Sequence, residues 1–335
     1  MKMINNHPQY KRVRTSVTRV LFSGCFFAAF FLVNPIVAMA AALPTVSGFD
    51  VSVHSTLSLP MQISFAPSGT MFVGNGGNSG SGVFIRQVSP DGSTVTNFGD
   101  TALLDPDAVL FDGIGVVADT PGSVLVGASN DLFAVRPNGT TQTIFSSDPT
   151  LNNIQHMTYD NNGDLMLGDF VSPGPGYAAR FSGGTLDILY SLADAPAGIA
   201  VNSTGSIFTV GQDGIVRVHT SDGTLVDSTF ASFGGNNSRL EFGPGGDWGT
   251  DLYAVAGSDL YRIDGAGNTQ VIGTGFGGGL PFLAFHSGDL FVSEFLTDRV
   301  LRISPSGVSP IPEPSTFILA VLGLMGLFGF RRRQR

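Results

Sequence analysis

A strand–turn–strand phrase recurs six times between residues 63 and 293, and this repetition constrains the fold more than any other feature of the chain. Each copy places apolar residues at alternate positions on both sides of a glycine-containing turn, which is the pattern of a β-hairpin. The copies start about 42 residues apart, with a longer first interval. The chain is therefore predicted to be all-β, and the six segments are 63–74, 116–127, 157–168, 199–211, 240–257 and 283–293.

A second hairpin follows each copy, and its strands meet at residues that favour a tight turn, because Asp-Gly, Asn-Gly and Gly-Gly supply positive φ. Four strands in each repeat describe one blade of a β-propeller, so six copies predict six blades. An arginine precedes four of the turns, and we expect this column to pair between blades: Arg180, Arg217, Arg262 and Arg302. The turn pairs are Asp91-Gly92, Asn138-Gly139, Gly183-Gly184, Asp222-Gly223, Ala266-Gly267 and Ser306-Gly307.

The last repeat runs out after Gly307 and lacks its own outer strand. Residues 49–55 (FDVSVHS), at the opposite end of the repeats, have the alternation of a strand. We predict that this N-terminal strand completes the last blade and closes the ring, which removes two exposed sheet edges. A linear β-solenoid is the alternative architecture, although it does not need a strand from the other terminus.

The hairpin phrases resemble the NHL and gluconolactonase-like (SGL) propellers. Residues 283–307 (LAFHSGDLFVSEFLTDRVLRISPSG) look like an NHL repeat, in which a strand is followed by an acid, a polar loop and Arg-Val. Residues 157–170 (MTYDNNGDLMLGDF) are similar. The resemblance covers most of residues 49–309 and implies a propeller, but propellers of this kind serve unrelated functions.

Propeller topology brings the start of each first strand and the end of each second strand to one mouth of the central channel. Polar side chains at these places predict a binding site formed by Gln62, Asn75, His156, Asp169, Gln212, Arg239 and Glu294. Within this set, Asn75, Asp169 and Glu294 are oxygen donors of the type that Ca²⁺ or another divalent cation takes. The alternative is a polar, water-filled channel that binds nothing specific.

The resemblance to gluconolactonase-like enzymes also implies a second hypothesis, a metal-dependent hydrolase of the lactonase type. Those enzymes hold a divalent ion with Glu, Asn and Asp at the mouth, where it polarises a lactone carbonyl. This chain offers the same three residue types, with His156 nearby as a proton carrier. It departs from the family at Ala197, where an asparagine is usual before the Gly198 strand. No catalytic residue is assigned, and we expect a binding protein rather than an enzyme.

Four acids in the long first interval form another polar cluster, at Asp100, Asp105, Asp107 and Asp112. They lack the ligand spacing of a dedicated calcium-binding loop. We therefore expect a solvated connector here, with a calcium site on the rim as the alternative.

The N-terminal 40 residues have the three parts of a secretory signal peptide. Five basic residues lie between Lys2 and Arg19, an apolar run spans residues 20–33, and Ala38-Met39-Ala40 is a small-x-small cleavage site. Cleavage after Ala40 removes Cys25, the only cysteine, so no disulfide framework is expected in the mature body.

The C-terminal segment, residues 310–335, also has three parts. Pro312-Glu313-Pro314 is a rigid acidic motif, residues 316–330 form an uncharged, largely apolar run, and four arginines follow. Such a helix partitions into a bilayer, and the arginines fix its orientation. The segment resembles the PEP-CTERM sorting signal of Gram-negative bacteria, which implies processing by exosortase and transient anchoring in the inner membrane of cells that build exopolysaccharide. An ordinary tail anchor is the alternative.

Charge limits the partners of the predicted body. Residues 41–312 hold eight arginines, no lysine and 25 Asp and Glu, which leaves a formal charge of −17. Such a body does not bind nucleic acid or anionic lipid through phosphate neutralisation. We predict an exported protein of the cell envelope, outer surface or extracellular matrix that binds exopolysaccharide or another envelope component. Its parts are a signal peptide (1–40), a six-bladed β-propeller (41–309) and a sorting segment (310–335).

Overall fold

The computed structural model describes residues 41–76, 82–171, 174–193, 198–234, 238–279 and 281–307. Regular structure in these ranges is almost entirely β-strand, with two short 3₁₀ helices at Gly246–Trp248 and Phe295–Thr297. No helix in these ranges is long and apolar enough to cross a membrane. The predicted signal peptide and the sorting segment, including Pro312, Glu313 and Pro314, lie outside the described residues.

The described residues contain 25 strands, as the alternating pattern of the sequence predicts. The first fourteen are β1 (Thr45–Val46), β2 (Phe49–Thr56), β3 (Pro60–Phe65), β4 (Met71–Asn75), β5 (Val83–Val88), β6 (Val95–Leu103), β7 (Ala108–Asp112), β8 (Ser123–Ala128), β9 (Asp131–Val135), β10 (Thr141–Phe145), β11 (Ile154–Tyr159), β12 (Leu165–Asp169), β13 (Gly176–Ser182) and β14 (Thr185–Leu192). The others are β15 (Gly198–Val201), β16 (Ile207–Val210), β17 (Ile215–His219), β18 (Leu225–Ser232), β19 (Arg239–Phe242), β20 (Leu252–Ala256), β21 (Asp259–Ile263), β22 (Thr269–Thr274), β23 (Phe282–His286), β24 (Asp289–Glu294) and β25 (Arg299–Pro305).

Sixteen of these strands form four separate sheets of four strands each. The sheets are β3–β6, β7–β10, β11–β14 and β15–β18, and the strands in each pair antiparallel in chain order. The predicted turn glycines are confirmed, because the glycine at the second position of every predicted pair has a positive φ, from 74° at Gly92 to 99° at Gly307. Local turn chemistry therefore sets the ends of the outer strands.

The remaining nine strands form one continuous sheet in the order β19-β20-β21-β22-β1-β2-β25-β24-β23. The two-residue strand β1 joins two four-stranded halves, since it pairs with β22 on one side and β2 on the other. Residues 49–55 form the predicted strand, and β2 pairs antiparallel with β25 from Phe49 opposite Pro305 to Thr56 opposite Arg299.

The first strands of the successive four-strand groups contact one another in cyclic order. Contacts run from β3 to β7, β11, β15, β19 and β23, and β23 contacts β3 again. A linear solenoid has no contact between its first and last repeats, so this cycle favours a propeller-like ring. The apolar cores lie between adjacent sheets, as where Leu125 and Leu132 of one sheet pack with Leu165 and Leu167 of the next.

One predicted hairpin is displaced in the structure. The first strand of the second group is β7, residues 108–112, and not the segment that begins at Val116. Residues 116–118 belong to the connection before β8, where their backbone N–H groups donate to the Asp112 carboxylate at 2.9–3.0 Å. The apolar pair Val116-Val117 imitates a strand, but its N–H groups are satisfied by a side chain instead of a ladder.

The arginine column pairs differently from the expectation. Each of the four arginines forms an ion pair with an aspartate of its own four-strand group, as Arg262 does with Asp251 at 2.6 Å and Arg302 with Asp289 at 2.6 Å. Arg180 also reaches the neighbouring sheet, where it donates to the Ser221 carbonyl at 2.5 Å. The column therefore serves mainly to hold the strands of one group together.

Candidate functional site

The mouth of the channel, where the first strands begin, is closed by side chains that contact one another. Gln62 on β3 is buried, and its amide makes two hydrogen bonds to the backbone of Met157 on β11. Its Nε2 donates to the Met157 carbonyl at 2.7 Å, and its Oε1 accepts from the Met157 N–H at 3.0 Å. Gln62 therefore ties together two first strands that are not neighbours in the ring.

The side chain of His156, one residue before Met157, also bonds to another strand. Its Nδ1 accepts a hydrogen bond from the Ile199 N–H at 2.9 Å, which links β11 to β15. Burial, with a smaller contribution from the charge of Arg239, lowers the pKa of His156 to about 3. The imidazole is therefore neutral at physiological pH, and its proton lies on Nε2. These contacts give His156 a role in holding strands together.

Arg239, the first residue of β19, lies fully buried at the same level. Its Nη2 donates to Gln155 Oε1 at 2.7 Å, its Nη1 donates to the Ser238 carbonyl at 3.2 Å, and the guanidinium lies 4.4 Å above the Phe282 ring. Burial lowers the pKa of Arg239, while the nearby Asp107 carboxylate opposes this change. Hydrogen bonds and an aromatic face thus hold a cation at the centre of the ring.

Two acids of the long first interval join this network, although the sequence assigned them to a solvated connector. Asp107 is 2% exposed, and its Oδ2 accepts from Asn153 Nδ2 at 3.3 Å and from Gln155 Nε2 at 3.2 Å. Burial and the like charge of Asp105 raise the pKa of Asp107 to about 7. Gln155 connects this acid to Arg239, so Asp107, Asn153 and Gln155 are mouth residues that sequence reasoning missed.

Asp169 and Glu294, two members of the predicted metal set, both accept hydrogen bonds from nearby protein groups. Asp169 Oδ1 accepts the N–H groups of Asn152 and Asn153 at 2.7 and 2.8 Å, and burial nevertheless raises the pKa of Asp169. Glu294 Oε1 accepts the Gly277 N–H at 2.6 Å, and its Oε2 accepts from Thr297 and forms a buried ion pair with Arg299. A cation at Glu294 would have to compete with Arg299.

The other predicted mouth residues are Asn75 and Gln212. Asn75 is buried at the end of β4, and its N–H donates to the Pro106 carbonyl at 2.9 Å. Gln212 is partly exposed in the loop after β16. Within the described ranges, no group of three or more His, Cys, Asp or Glu side chains is placed to hold a metal ion. The set of Asn75, Asp169 and Glu294 stays a prediction that these contacts do not favour.

A groove lies away from the mouth, between the sheet β15–β18 and the strands β19–β21. This inter-sheet groove has a volume of about 530 Å³. Its floor is aromatic, because the Phe208 ring lies 5.4 Å from the Phe230 ring and 5.2 Å from the Phe242 ring, both edge to face. The exposed side chain of Val226 extends the apolar surface at one side.

Polar groups surround this aromatic floor. Asn202, Asp227, Asp251 and Asp264 all line the groove. Asp251 pairs with Arg262, while hydrogen bonds from Asn268 hold the pKa of Asp264 below its ordinary value. An apolar floor inside a hydrogen-bonding rim is the usual composition of a small-ligand site, and such sites occupy roughly 300–1,000 Å³.

The C-terminal tail and the body of this protein are similar to different sets of known proteins. Residues 310–333 match the PEP-CTERM protein-sorting motif. No curated protein sequence matches the chain. The motif implies an exported protein that is processed by exosortase and is transiently anchored in the membrane before processing.

The body is similar in fold to solved propeller proteins of low sequence identity. A gluconolactonase from Xanthomonas campestris is 13% identical over 78% of this chain and 94% of its own, with a TM-score of 0.62. The calcium-binding protein regucalcin from Agrobacterium tumefaciens is 15% identical over 77% and 95%, with a TM-score of 0.60. Virginiamycin B lyase from Staphylococcus aureus is 14% identical over 76% and 99%, with a TM-score of 0.54. These similarities show the propeller-like fold alone.

Proposed function

We propose that this protein is an exported binding module of the cell envelope or extracellular matrix, and that it binds a neutral polysaccharide through the inter-sheet groove. The body, residues 41–309, is then a six-bladed propeller in which β2 completes the last blade, flanked by a cleaved signal peptide and the sorting segment. The cyclic contacts of six first strands support this blade count. The exopolysaccharide of the producing cell is the proposed ligand.

The observation that carries this proposal is the composition of the groove. A sugar ring has C–H groups on its face and hydroxyls on its edge, so it suits an aromatic floor such as Phe230 and Phe242 with a rim such as Asn202 and Asp227. The formal charge of −17 between residues 41 and 312 disfavours an anionic polymer. The polar side chains of the mouth, in contrast, are largely bonded to the protein itself.

Removal of the Phe230 ring from the floor tests whether the groove binds the polysaccharide. Phe230→Ala should weaken binding of the cell's own exopolysaccharide and of a neutral glucan at least tenfold, measured by affinity electrophoresis. Ile188→Ala is the matched control, because Ile188 is 38% exposed on β14, outside the groove. Equal binding by the wild type and both variants would remove the groove as the glycan site.

The proposed route of export has its own test. Intact-mass analysis of the secreted protein should show loss of residues 1–40 and of the segment beyond about Pro314, as the paired terminal signals predict. A secreted species that still carries the arginines at 331–335 would contradict processing at the sorting motif.

A lactonase-type hydrolase is the second candidate, because the buried atoms Asp107 Oδ1 and Asp169 Oδ2 have no hydrogen-bond partner among the described residues. Under this hypothesis, a divalent cation at the mouth stabilises only the folded state, so Ca²⁺ should raise the melting temperature. Asp169→Asn and Glu294→Gln should each blunt that rise. If sodium chloride produces the same rise in melting temperature, or if the rise survives both substitutions, its cause is diffuse charge screening. The hydrolase hypothesis is then rejected in favour of the binding module.

A further inference from the structure

A second cavity lies inside the ring, below the closed mouth. It has a volume of about 240 Å³ and is lined by residues of five first strands, β3, β7, β11, β19 and β23. The hydrogen-bonded Gln62 limits it towards the mouth. Burial decreases along the strands, from fully buried Phe282 to partly exposed Phe285 and exposed Ser287, so the cavity opens towards the turns that follow the first strands.

Glu241 on β19 stands in this cavity without a counter-charge. Its side chain has no hydrogen bond and no ion pair among the described residues, and the surface that it exposes faces the cavity. Residues two apart on a strand share a face, so Glu241 lies on the same face of β19 as Arg239, one layer further down. The equivalent layer contains small or uncharged residues, among them Ser64, Thr158 and Ala284, and their size leaves the space open.

The walls determine what ligand this carboxylate suits. Ca²⁺ requires six to eight oxygen ligands, and the cavity supplies one carboxylate with few other oxygens. Most of the lining is apolar, with Ile63, Leu110 and Leu283 among it, while the rings of Phe65 and Phe285 pack against His286 and against Trp248 and Tyr253. Thr158 adds a hydroxyl that can accept a hydrogen bond, whereas the Ser64 hydroxyl already accepts one from the Phe111 N–H. The volume lies below that of drug-sized ligand sites, so the occupant is small.

We propose that this cavity binds a small organic ammonium ion, with Glu241 as its counter-ion and the apolar walls against its carbon chain. The ligand is a primary amine of a few carbon atoms, attracted by the negative charge of the body. This site is separate from the inter-sheet groove, because Glu241, Ser64 and Phe65 do not line the groove.

Binding of such a cation is coupled to the proton of Glu241. Burial raises the pKa of Glu241 to about 8, so the empty site holds a neutral carboxyl at pH 7 and must release its proton to pair with the ligand. Burial lowers the pKa of His286, the other titratable group that lines the cavity, so His286 is neutral between pH 7 and 9. The titratable groups on the surrounding strands are Arg239 on β19, Tyr253 on β20, His156 and Tyr159 on β11, and Asp112 on β7, while β3 and β15 carry none.

The test compares n-propylammonium with its neutral isostere n-propanol by isothermal titration calorimetry on the purified protein. At pH 9, the amine is expected to bind at least tenfold more tightly than the alcohol. Its affinity should then fall about tenfold between pH 9 and pH 7 as Glu241 takes up its proton, because an alkylamine stays protonated over this range. Glu241→Gln should abolish the preference for the amine, while Phe230→Ala should leave it unchanged.

Each contrary result overturns the proposal. These results are equal binding of amine and alcohol, no binding at pH 9, an affinity that does not change with pH, or a preference that survives Glu241→Gln. Should Glu241→Gln fail to fold, the pH series on the wild type decides alone, because it needs no variant. Loss of glycan binding in Phe230→Ala with an intact amine site would show that the two sites are independent.

Discussion

Arg239 and Glu241 are two residues apart on one face of one strand, and their surroundings differ completely. The Arg239 guanidinium bonds to Gln155 and Ser238 and lies against Phe282, so the charge is held within the fold. The Glu241 carboxylate has no such partner and faces open space. The difference lies in the partners: adjacent strands supply them to Arg239 but not to Glu241, which is why Glu241 is the residue that we propose pairs with a ligand.

The same contrast separates the whole mouth from the cavity below it. At the mouth, Gln62, His156 and Asp107 all reach other strands, and their bonds tie first strands together. In the cavity, small side chains such as Ala284 line the space beside Glu241 and leave a volume of about 240 Å³. We therefore expect substitutions at the mouth to affect stability first, and those in the cavity to affect ligand binding and the response to pH.

The largest effect on stability should come from opening the ring, since the mouth and the cavity below it exist only while the first strands surround a common centre. Deletion of residues 49–55 removes the partner of β25 and exposes two strand edges, so cooperative thermal unfolding should be lost or its midpoint lowered by more than 10 °C, about the effect of several kcal/mol. Val53→Asp is the control, because Val53 is 45% exposed on the same strand. An unchanged melting curve for the deletion would contradict ring closure by β2.

Removal of the central cation at the mouth should have the next largest effect. Arg239→Ala leaves a cavity and takes the donor from Gln155 Oε1, so the free energy of unfolding should fall by about 3–5 kcal/mol in urea denaturation. Arg262→Ala breaks an ion pair in which the arginine side chain is 46% exposed, and it should cost less than about 1 kcal/mol. Similar losses in the two variants would mean that the buried network does not hold the mouth together.

Glu241→Gln should have an effect of the opposite sign that depends on pH. The folded-state pKa of Glu241 is about 8, above its ordinary value, so the folded wild type binds a proton more tightly than the unfolded chain. The wild type therefore loses stability as the pH rises from about 4.5 to about 8, by up to roughly 1.4 kcal/mol per pH unit.

The variant lacks this titration, so it should be more stable than the wild type by a few kcal/mol at pH 9 and about equal to it at pH 4.5. Urea denaturation at the two pH values measures this difference. A constant difference between variant and wild type across that range would show that Glu241 does not titrate in this window.

The displaced hairpin shows where a local pattern fails. Val116, Val117 and Ala118 look like the start of a strand, but the Asp112 carboxylate captures their N–H groups. The strand that does form, β7, begins eight residues earlier, at Ala108. This shift also concealed Asp107, which immediately precedes β7 and enters the mouth network. A side chain that satisfies the backbone removes the reason for a strand, and the alternation of residues alone does not reveal it.

Residue patterns in the chain were enough to predict the all-β repeat, the outer turns, the N-terminal strand that pairs with β25, the sorting motif and the acidity of the body. These features depend on residue periodicity, turn chemistry and composition, which act over a few residues. Which central side chains have partners depends instead on how the folded strands meet. Gln62 reaches Met157 and Arg239 reaches Gln155 across 95 and 84 residues of chain, and no local pattern specifies such contacts. Glu241 is left without a partner for the same reason: the small side chains opposite it come from distant repeats and meet it only when the ring closes.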